Sequence, residues 1–576
     1  MSKDNSSLVS ETVGKKPPKS DSRSQISDLR NSKKTPRSKI QDPRSTKYLF
    51  VTGGVLSGVG KGITAASLGA LLKARGLSVT VMKCDQYLNV DAGTLNPAEH
   101  GECFVTHDGA ETDLDLGHYE RFLDQDLSRT SSLMTGRIYK KVIDRERAGG
   151  YGGKTVQIVP HITEAVIDEM LEVGKGHDLL IVEVGGTVGD IEGLHFLEAI
   201  RELQMRVGRS SFVHMHVVYM PYLGTSKEFK TKPAQHAVLE LRRLGLIPDL
   251  IGARAEVEAP LKLKEKLSMF CGVPPEGIVL LPNADTVYRI PLTFEQSGIV
   301  DYITDRLGFD VQKPDLSNWK NLVKKATTTF DKTVRIGIVA KYLDNADTYF
   351  SVIEALRSAS RANSANLEFE WVNSEDITDT NVSTVLKKYD GILVPGGFGK
   401  RGIEGKIIAS QYALRSNKPY LGICLGLQVA VIGVARNMGL QDANSTEMNP
   451  KTKNPVVYIM DGQQGKELSG GSMRLGSYDC VVADGSLASK LYKSKVISER
   501  HRHRYEVNQK YLQTLEDGGL RVSGTSPDGS LVEIIEAKNH PYFIAIQSHP
   551  EFLSRPMRPH PLFDGFIGAS LKGTRV

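Results

Sequence analysis

The distribution of apolar residues along the chain predicts an α/β protein. Residues 48–51 form a short apolar run that leads to Gly53 and Gly54, and a helical pattern over 62–75 precedes a second run over 77–82. This order is typical of a strand, a glycine-rich loop, a helix and a second strand. Further apolar runs, with helical patterns between them, recur at 179–184, 212–219, 250–253 and 278–281. Such alternation predicts a mostly parallel sheet covered by helices on both faces.

A second α/β series follows a weakly patterned stretch at 309–332, which contains one short helical piece at 316–325. Its apolar runs lie at 334–339, 391–394, 420–423 and 542–547. We interpret the weak stretch as an interdomain linker. The sequence therefore predicts two doubly wound domains, at 47–308 and 333–570, and two different domains on one chain indicate two coupled chemistries.

Composition is that of a globular protein with an unusual first segment. The chain has 576 residues, 40% hydrophobic and 24% charged, which excludes a single small module and a wholly disordered chain. Residues 1–46 carry eleven Lys or Arg against five Asp or Glu, so this segment alone accounts for the net charge of +6. It has no aromatic residue, and we predict a disordered basic tail. The neutral remainder gives no indication of nucleic-acid binding.

The cysteines and the hydropathy pattern predict a cytoplasmic protein. Five cysteines occur at scattered positions, without a C-x-x-C pair that would hold a metal, which is typical of a reducing compartment. No apolar run reaches 18 residues, so no membrane association is expected.

The first candidate site is a glycine-rich loop, 53–62, between a predicted strand and a predicted helix. Backbone N–H groups and a helix N-terminus bind phosphate in this context. The match to the strict phosphate-loop pattern is imperfect, because Val55 replaces a glycine and Gly62 replaces the Ser or Thr whose hydroxyl binds Mg²⁺. A glycine-rich turn without a ligand is the alternative interpretation. If the loop binds a nucleotide, carboxylates must supply the missing metal ligand.

Two acidic positions are candidates for that ligand. Asp113 and Asp115 alternate with apolar neighbours, so we expect both on one face of an extended segment. Glu183 ends an apolar strand, where ligands collect in such folds, although an ion-paired structural residue is the alternative. Three lysines in 227–232 are weaker evidence: lysines bind triphosphates, but lysine runs are usually solvated.

The second candidate site centres on Cys424, which lies between an apolar strand and a helical pattern. Its pattern Gly-x-Cys-x-Gly is the thiol form of the nucleophile elbow, and a buried structural cysteine is the alternative. His549 and Glu551 follow the last apolar run and supply a base and its orienting carboxylate. Residues 395–399, Pro-Gly-Gly-Phe-Gly, follow another strand and offer N–H donors to an oxyanion.

At these motifs the sequence resembles the CTP synthase family, from Tyr48 to about Gly568, and its second half is similar to class I glutamine amidotransferases. The motifs that carry the resemblance lie at 51–54, 60–62, 108–121, 230–233, 422–426, 500–508 and 549–551.

The resemblance implies a role for each matching residue. Cys424, His549 and Glu551 would be catalytic, and Asp115 and Glu183 would hold Mg²⁺. The implied ATP-binding residues are Ser57, Gly58, Val59, Gly60, Lys61, Gly62, Lys83 and Arg254, with Arg254 against adenine. The implied UTP- and CTP-binding residues are Ser57, Asp190, Ile191, Glu192, Lys230, Lys232, Gln235 and Lys266. The implied glutamine-binding residues are Gly397, Leu425, Gln428, Glu447 and Arg504.

The resemblance also implies the reaction: ATP-dependent amination of UTP to CTP, with ammonia released from glutamine by the second half. It implies GTP as an allosteric activator, CTP as a feedback inhibitor, and a homo-oligomer, namely a tetramer that also forms filaments. Two alternatives stay open. One is a glutamine amidotransferase with another acceptor, and the other is a polymer-forming or regulatory phosphate-loop protein with a vestigial amidotransferase half. The presence of all three of Cys424, His549 and Glu551 counts against the second.

Overall fold

The computed structural model describes residues 46–341, 343, 345–460, 462–466 and 471–573. Except for Thr46, the predicted disordered tail lies outside the described residues. The strands of the first half are β1 (Lys47–Gly53), β2 (Val79–Asp85), β3 (Phe104–Val105), β4 (Glu111–Thr112), β5 (Ser132–Met134), β6 (Leu179–Val184), β7 (Phe212–Tyr219), β8 (Tyr222–Leu223), β9 (Glu228–Phe229), β10 (Leu250–Arg254) and β11 (Ile278–Leu281). Its helices are α1 (Lys61–Ala74), α2 (Pro97–His100), α3 (Asp115–Leu123), α4 (Thr135–Arg147), α5 (Thr163–Gly174), α6 (Leu194–Val207), α7 (Lys232–Arg243), α8 (Lys262–Cys271), α9 (Ile290–Ser297) and α10 (Ile299–Leu307).

The first half contains a seven-stranded sheet in the order β11-β10-β7-β1-β6-β2-β5. All its neighbouring strands pair in parallel, which confirms the predicted parallel sheet. Because β6 lies between β1 and β2, the carboxyl ends of these three strands meet. Glu183 on β6 is in register with Val51 on β1 and with Lys83 on β2. This alignment brings the phosphate loop, a lysine and a carboxylate to the same edge.

Helix α11 (Ser317–Thr327) follows the first half and lies within the predicted linker. The strands of the second half are β12 (Lys332–Ala340), β13 (Ala365–Asn373), β14 (Gly391–Val394), β15 (Tyr420–Ile423), β16 (Asn444–Ser445), β17 (Pro455–Ile459), β18 (Arg474–Val482), β19 (Val496–His503), β20 (Tyr505–Val507), β21 (Leu520–Thr525), β22 (Val532–Ala537) and β23 (Phe543–Ile546). Its helices are α12 (Phe350–Ala362), α13 (Val382–Leu386), α14 (Ile403–Arg415), α15 (Leu425–Asn437), α16 (Leu487–Tyr492), α17 (Leu512–Asp517) and α18 (Pro561–Gly573).

The second half is built on a nine-stranded mixed sheet, with the order β13-β12-β14-β15-β23-β22-β21-β18-β19. The first five strands pair in parallel, and four of them, β12, β14, β15 and β23, lie at the predicted apolar runs, whereas β13 does not. The remaining four strands are antiparallel, an extension that the apolar runs do not predict. Cys424 follows β15 and His549 follows β23, and these strands are neighbours in the sheet. The topology therefore brings the two residues together although 125 positions of sequence separate them.

The two halves share packed side chains and buried ion pairs. Phe552 of the second half packs against Phe104 in the apolar core of the first, and Trp319 of α11 joins the same core. Arg500 and Arg555 both pair with the buried Glu120, at 2.9 and 2.8 Å. The predicted domain boundaries stay predictions. Among the described helices, none combines the length and the apolar character needed to cross a membrane.

Candidate active sites

The glycine-rich loop lies between β1 and α1 and has left-handed backbone at three positions, Val55, Gly58 and Gly60. Gly60 precedes the first residue of α1, Lys61, with φ of +95°. The first turn of α1 carries no acidic residue, so its free N–H groups and its dipole favour an anion. The loop thus has the backbone of a phosphate site, and it contains Ser57 and Val59 as well.

The structure gives a physical reason for Gly62. A Cβ at this position would lie 2.4 Å from Asp115 Oδ1 and 3.5 Å from Glu183 Oε2, so a serine or threonine would displace the Asp115 carboxylate. Two carboxylates therefore occupy the place where the strict phosphate-loop pattern has a hydroxyl. The chain therefore has glycine at position 62 because the two carboxylates lie against that position.

Lys83 lies at the centre of this buried cluster. Its ammonium donates to Asp115 Oδ2 and, at 3.0 Å, to Glu183 Oε1, while Asp85 Oδ1 lies 3.9 Å away. Burial alone would lower the pKa of Lys83, but Asp115, Glu183 and Asp85 raise it well above its usual value. Lys61 donates to the Gly186 carbonyl at 2.7 Å, and burial lowers its pKa. Both cations are thus held by protein acceptors.

The expectation of an extended segment at Asp113 and Asp115 is wrong. Strand β4 ends at Thr112, and α3 begins at Asp115 because Asp113 Oδ1 accepts the Asp115 N–H at 3.0 Å. The turn directs Asp115 to Lys83, whose charge lowers the pKa of Asp115 against the effect of burial. Glu183 forms an ion pair, the feature that the structural alternative required. Its partner, however, is Lys83, which belongs to the same candidate site.

In the part of the chain that the structure describes, no group of three or more His, Cys, Asp or Glu is arranged to hold a metal ion. The pair Asp115 and Glu183 nonetheless fits Mg²⁺, which is usually bound through one or two carboxylates together with phosphate oxygens and water. One oxygen of each faces the position that a Cβ on Gly62 would occupy, at the start of α1. Asp85 adds a buried oxygen, Oδ2, without a hydrogen-bond partner.

Arg254 lies beside the phosphate loop. Its Nε is 3.7 Å from the position of a Cβ on Gly60, and its guanidinium donates to the carbonyls of Leu281 and Pro282. Helix α7 also packs against the loop, because a Cβ on Gly54 would lie 2.5 Å from the Cβ of Ala237.

The residues implied for UTP and CTP form local contacts around α7 and the turn after β6. Asp190 accepts the Thr187 N–H at 2.7 Å, and Ile191 is 81% exposed next to Glu192. Lys230 pairs with Glu228 at 2.6 Å, and the Lys232 ammonium lies 5.8 Å from the Phe270 ring centroid. Gln235 donates to Thr231, and Lys266 is on α8. No hydrogen bond or ion pair among the described residues joins this group to Lys61.

Cys424 occupies a strained turn between β15 and α15, with φ of +51° and ψ of −100°. Such backbone is costly for a residue with a side chain and is typical of a nucleophile elbow. Both flanking glycines are required sterically. A Cβ on Gly426 would lie 2.3 Å from the Val394 carbonyl, and a Cβ on Gly422 would lie 2.8 Å from the Ala545 Cβ.

His549 is held by Glu551, whose Oε1 lies 2.7 Å from Nδ1. Burial alone would lower the pKa of His549, but Glu551 and the nearby Cys424 raise it to about 10. Nε2 is buried without a hydrogen-bond partner. A Cβ on Gly396 would lie 3.6 Å from the Cβ of Cys424 and 3.7 Å from this Nε2. Gly396, Cys424 and His549 therefore face the same space.

The residues implied for glutamine surround that space. The Gly397 N–H has no acceptor among the described residues, and the N–H of Leu425, first in α15, has no intrahelical acceptor. Glu447 accepts the Gly399 N–H at 2.7 Å, and Gln428 donates to the Tyr505 carbonyl at 3.2 Å. Arg504 donates to Gln463 at 3.0 Å and to Ser472 at 2.7 Å.

Sequence reasoning missed several side chains at both sites. Lys341 donates to the carbonyls of Gly399 and Arg401, Gln547 donates to Cys424 Sγ at 3.7 Å, and the Tyr119 hydroxyl donates to Glu183. Lys341 had a usable signal, because it directly follows a buried strand at the edge where ligands collect.

Both halves of the chain are similar to known protein families. Residues 47–309 match the family described as CTP synthase N-terminus, and residues 344–569 match glutamine amidotransferase class-I. The CTP synthase of Clostridium perfringens (strain 13 / Type A) is 50% identical over 531 residues, which are 92% of this chain and 99% of the relative. The CTP synthase of Bacillus subtilis (strain 168) is 49% identical over 530 residues, with the same coverage. The chain belongs to the CTP synthase family.

This membership confirms the predicted family, the α/β class with a synthetase half and an amidotransferase half, and the enzyme class. That class is a ligase that forms CTP with glutamine as nitrogen donor. These similarities support neither alternative, a different acceptor or a vestigial amidotransferase half. Among solved structures, the glutaminase domain of Trypanosoma brucei CTPS with bound acivicin is 42% identical and covers 42% of this chain and 96% of that chain, with a TM-score of 0.40.

Proposed function

We propose that the chain aminates UTP at the ring 4-position to form CTP, with the phosphate loop and the cysteine elbow as its two active sites. The observation that carries the proposal is the buried cluster of Lys83, Asp115 and Glu183 beside the phosphate loop. It supplies a cation and two candidate metal ligands, the kinds of group that phosphoryl transfer requires. The Cys424, His549 and Glu551 arrangement supplies the nitrogen.

In the amidotransferase half, the Cys424 thiolate attacks the side-chain amide carbon of glutamine. The N–H groups of Gly397 and Leu425 face the developing oxyanion and stabilise it. His549, kept protonated by Glu551, donates a proton to the departing nitrogen, so that ammonia leaves and a glutamyl thioester remains. Water then hydrolyses the thioester to glutamate and regenerates the thiol. Gln428, Glu447 and Arg504 bind the glutamine.

In the synthetase half, the γ-phosphoryl group of ATP is transferred to the 4-oxygen of UTP, and ADP is released. The oxygen becomes part of a phosphate, which is a far better leaving group, so ammonia attacks C4 and displaces it. Lys61 and Lys83 neutralise the phosphate charge, and Arg254 lies against adenine. Ser57, Asp190 to Glu192, Lys230, Lys232, Gln235 and Lys266 bind UTP.

We further propose that Asp115 and Glu183 hold Mg²⁺. The ion, when bound, neutralises charge on the β- and γ-phosphates. Lys83 pairs with both carboxylates, and its ammonium would be available to the phosphates if Asp115 and Glu183 held the ion. The fit rests on the donor set, two converging carboxylates next to a helix N-terminus that favours phosphate.

Regulation and assembly are proposed from family membership. CTP competes with UTP because the two nucleotides share a triphosphate and differ only at the 4-position. GTP activates glutamine hydrolysis, and the chain assembles as a tetramer that also forms filaments. A cytoplasmic location is consistent with five cysteines that form no disulfide.

The experiment is a direct assay of CTP formation by absorbance. UTP, ATP, Mg²⁺ and glutamine are supplied together, and each is then left out in turn. We expect CTP only when all four are present, and ammonium salt should replace glutamine at raised pH. Turnover of ATP and glutamine without a uridine nucleotide would overturn the proposed acceptor. Initial rates at several UTP and CTP concentrations test whether CTP raises the KM for UTP.

A further inference from the structure

Arg502 contacts the amidotransferase site in its own half of the chain and a carboxylate in the synthetase half. Its backbone carbonyl lies 3.9 Å from the Cys424 thiol, and its guanidinium lies 5.1 Å from the ring centroid of Phe398, next to Gly397. Its Nε donates to Glu111 Oε1 of the synthetase half at 2.9 Å. The side chain is 12% exposed, and its partner is 1% exposed. One arginine thus touches the nucleophile's turn, the oxyanion segment and the other half of the chain.

Glu111 is fixed on its own side of this contact. Its second oxygen, Oε2, accepts the Gly471 N–H at 3.1 Å. Gly93 packs so closely that a Cβ there would lie 2.1 Å from Oε2. Glu111 begins β4, and the turn that follows β4 leads to Asp115 at the start of α3. The ion pair is therefore anchored to the segment that carries a candidate metal ligand.

The ion pair borders the space into which ammonia is released. A cavity of about 80 Å³ lies beside Cys424 and His549. Arg502 lines it from the amidotransferase half, and Glu102 and Cys103 line it from the synthetase half. Cys103 is also in contact with Glu111, with its sulfur 4.0 Å from Oε1. Ammonia is thus released at this interface between the halves, which we call the seam. The fraction of ammonia that reaches the synthetase site depends on how well the seam is closed.

We propose that Glu111 and Arg502 form a positioning pair that keeps this seam closed, so that ammonia passes to the synthetase site and not to solvent. The inference rests on the proposed function. Neither side chain takes part in the chemistry. The ion pair acts by holding the synthetase half against the cysteine turn and the Phe398 segment. Its loss should therefore change the yield of CTP per glutamine more than either reaction by itself.

The test measures glutamate and CTP in the same sample of full-length enzyme. Wild type should give a glutamate to CTP ratio near one, because each CTP consumes one ammonia. Glu111→Gln keeps the size of the side chain and removes its charge, and Arg502→Met removes the cation. Loss of a charge-assisted hydrogen bond shifts the equilibrium between the closed and the open seam by about tenfold. We therefore expect a glutamate to CTP ratio of roughly two or more in these variants. CTP formation from ammonium salt should stay within about twofold of wild type, since neither variant changes a residue proposed to bind ATP, UTP or Mg²⁺.

The matched control is Arg558→Met, which removes an exposed ion pair between the same two halves, Arg558 to Asp124 at 3.0 Å, away from the cavity. Its ratio should remain at the wild-type value. Arg502→Lys keeps the charge and should restore coupling in part, which a merely structural loss would not predict. A ratio near one in both Glu111→Gln and Arg502→Met would overturn the proposal. So would an equal rise in the control. Failure of the proposed function appears differently, as wild-type enzyme that makes no CTP.

Discussion

The two candidate sites differ in what holds their reactive groups. In the amidotransferase half, the chain itself completes the geometry: the turn at Cys424 is fixed by close packing of its flanking glycines, and His549 is oriented by Glu551 at 2.7 Å. In the synthetase half, the cations are bound to protein acceptors, Lys83 to two carboxylates and Lys61 to a carbonyl. Binding of ATP, and of the Mg²⁺ proposed above, would replace these contacts.

The difference follows from the chemistry that each half performs. A nucleophile must be aligned with its base before the substrate arrives, and misplacement by one ångström is costly, so rigid backbone is favoured. Phosphoryl transfer depends on neutralising a large charge that only the substrate brings. Until then, buried lysines and carboxylates stabilise one another, because an unpaired buried charge costs several kcal/mol. The synthetase site is thus completed by its ligands, whereas the fold itself completes the amidotransferase site.

The comparison is tested most strongly by Cys424→Ala. Without the thiol, glutamine-dependent CTP formation should fall by on the order of 10⁴-fold or more, because no other group forms the thioester. The rate with ammonium salt at raised pH should be unchanged, since the synthetase site needs no thiol. Both rates are measured on one preparation, with Cys480→Ala, a buried cysteine in the same half, as control. Loss of the ammonia reaction in a folded variant would contradict the separation of the sites.

The converse change is Lys61→Ala. It should lower CTP formation by on the order of 10² to 10³, because one preorganised charge contact in a transition state is worth that much. The loss should be the same with glutamine and with ammonium salt, as both nitrogen sources need an activated UTP. Lys73→Ala on the same helix is the control, since Lys73 binds the Leu123 carbonyl at the far end of α1. Retained ammonia-dependent activity would refute the role of Lys61.

A smaller effect is expected for Glu551→Gln, which tests whether the Glu551 carboxylate raises the pKa of His549. Because Glu551 and Cys424 together raise the pKa of His549 to about 10, wild-type imidazolium persists up to about pH 10 and is lost only as the pH rises further. In the variant the pKa falls towards its usual value of 6.5, so less imidazolium is left to protonate the departing nitrogen. We expect glutamine hydrolysis about 10²-fold slower at neutral pH.

The pH profile separates this tuning from a loss of structure. The alkaline limb of glutamine hydrolysis should move to lower pH in Glu551→Gln and leave the ammonia-dependent rate unaffected. Glu499→Gln is the matched control, because Glu499 pairs with His560 at 2.9 Å in the same half but outside the site. An alkaline limb at the wild-type position would mean that Glu551 does not set the pKa of His549.

Much of the fold could be predicted because buried parallel strands are continuous apolar runs. Strands β6 and β15 occur with the predicted bounds, 179–184 and 420–423. Strand β19 could not be found this way, since its sequence includes Glu499, Arg500 and His501. These charged and polar side chains are buried only because polar groups elsewhere in the chain pair with them, as Glu120 pairs with Arg500 and His560 with Glu499. Pairing of this kind is a property of the tertiary structure.

The candidate sites divide in the same way. Cys424 and His549 stand in local patterns, so their positions after strands could be inferred. The geometry of Asp113 and Asp115 could not, because a side-chain hydrogen bond to the Asp115 N–H starts a helix where alternation suggested a strand. The pair Glu111 and Arg502 joins residues 391 positions apart, and nothing in either local sequence indicates it.

The smallest effect is expected from Gly62→Ser, which tests whether carboxylates have replaced the phosphate-loop hydroxyl. The change restores the strict phosphate-loop residue, yet its Cβ would lie 2.4 Å from Asp115 Oδ1. Displacing the carboxylate costs roughly 2 kcal/mol, typical of an overpacked site, or about 30-fold in CTP formation with either nitrogen source. Gly62→Ala should be equally harmful, because the clash comes from Cβ and not from the hydroxyl, whereas Ile63→Val on the same turn should be neutral. Glutamate release, which uses the other site, should persist in all three variants. If Gly62→Ser were fully active while Gly62→Ala was not, the hydroxyl would be serving as a metal ligand, and the carboxylates would not be its replacement.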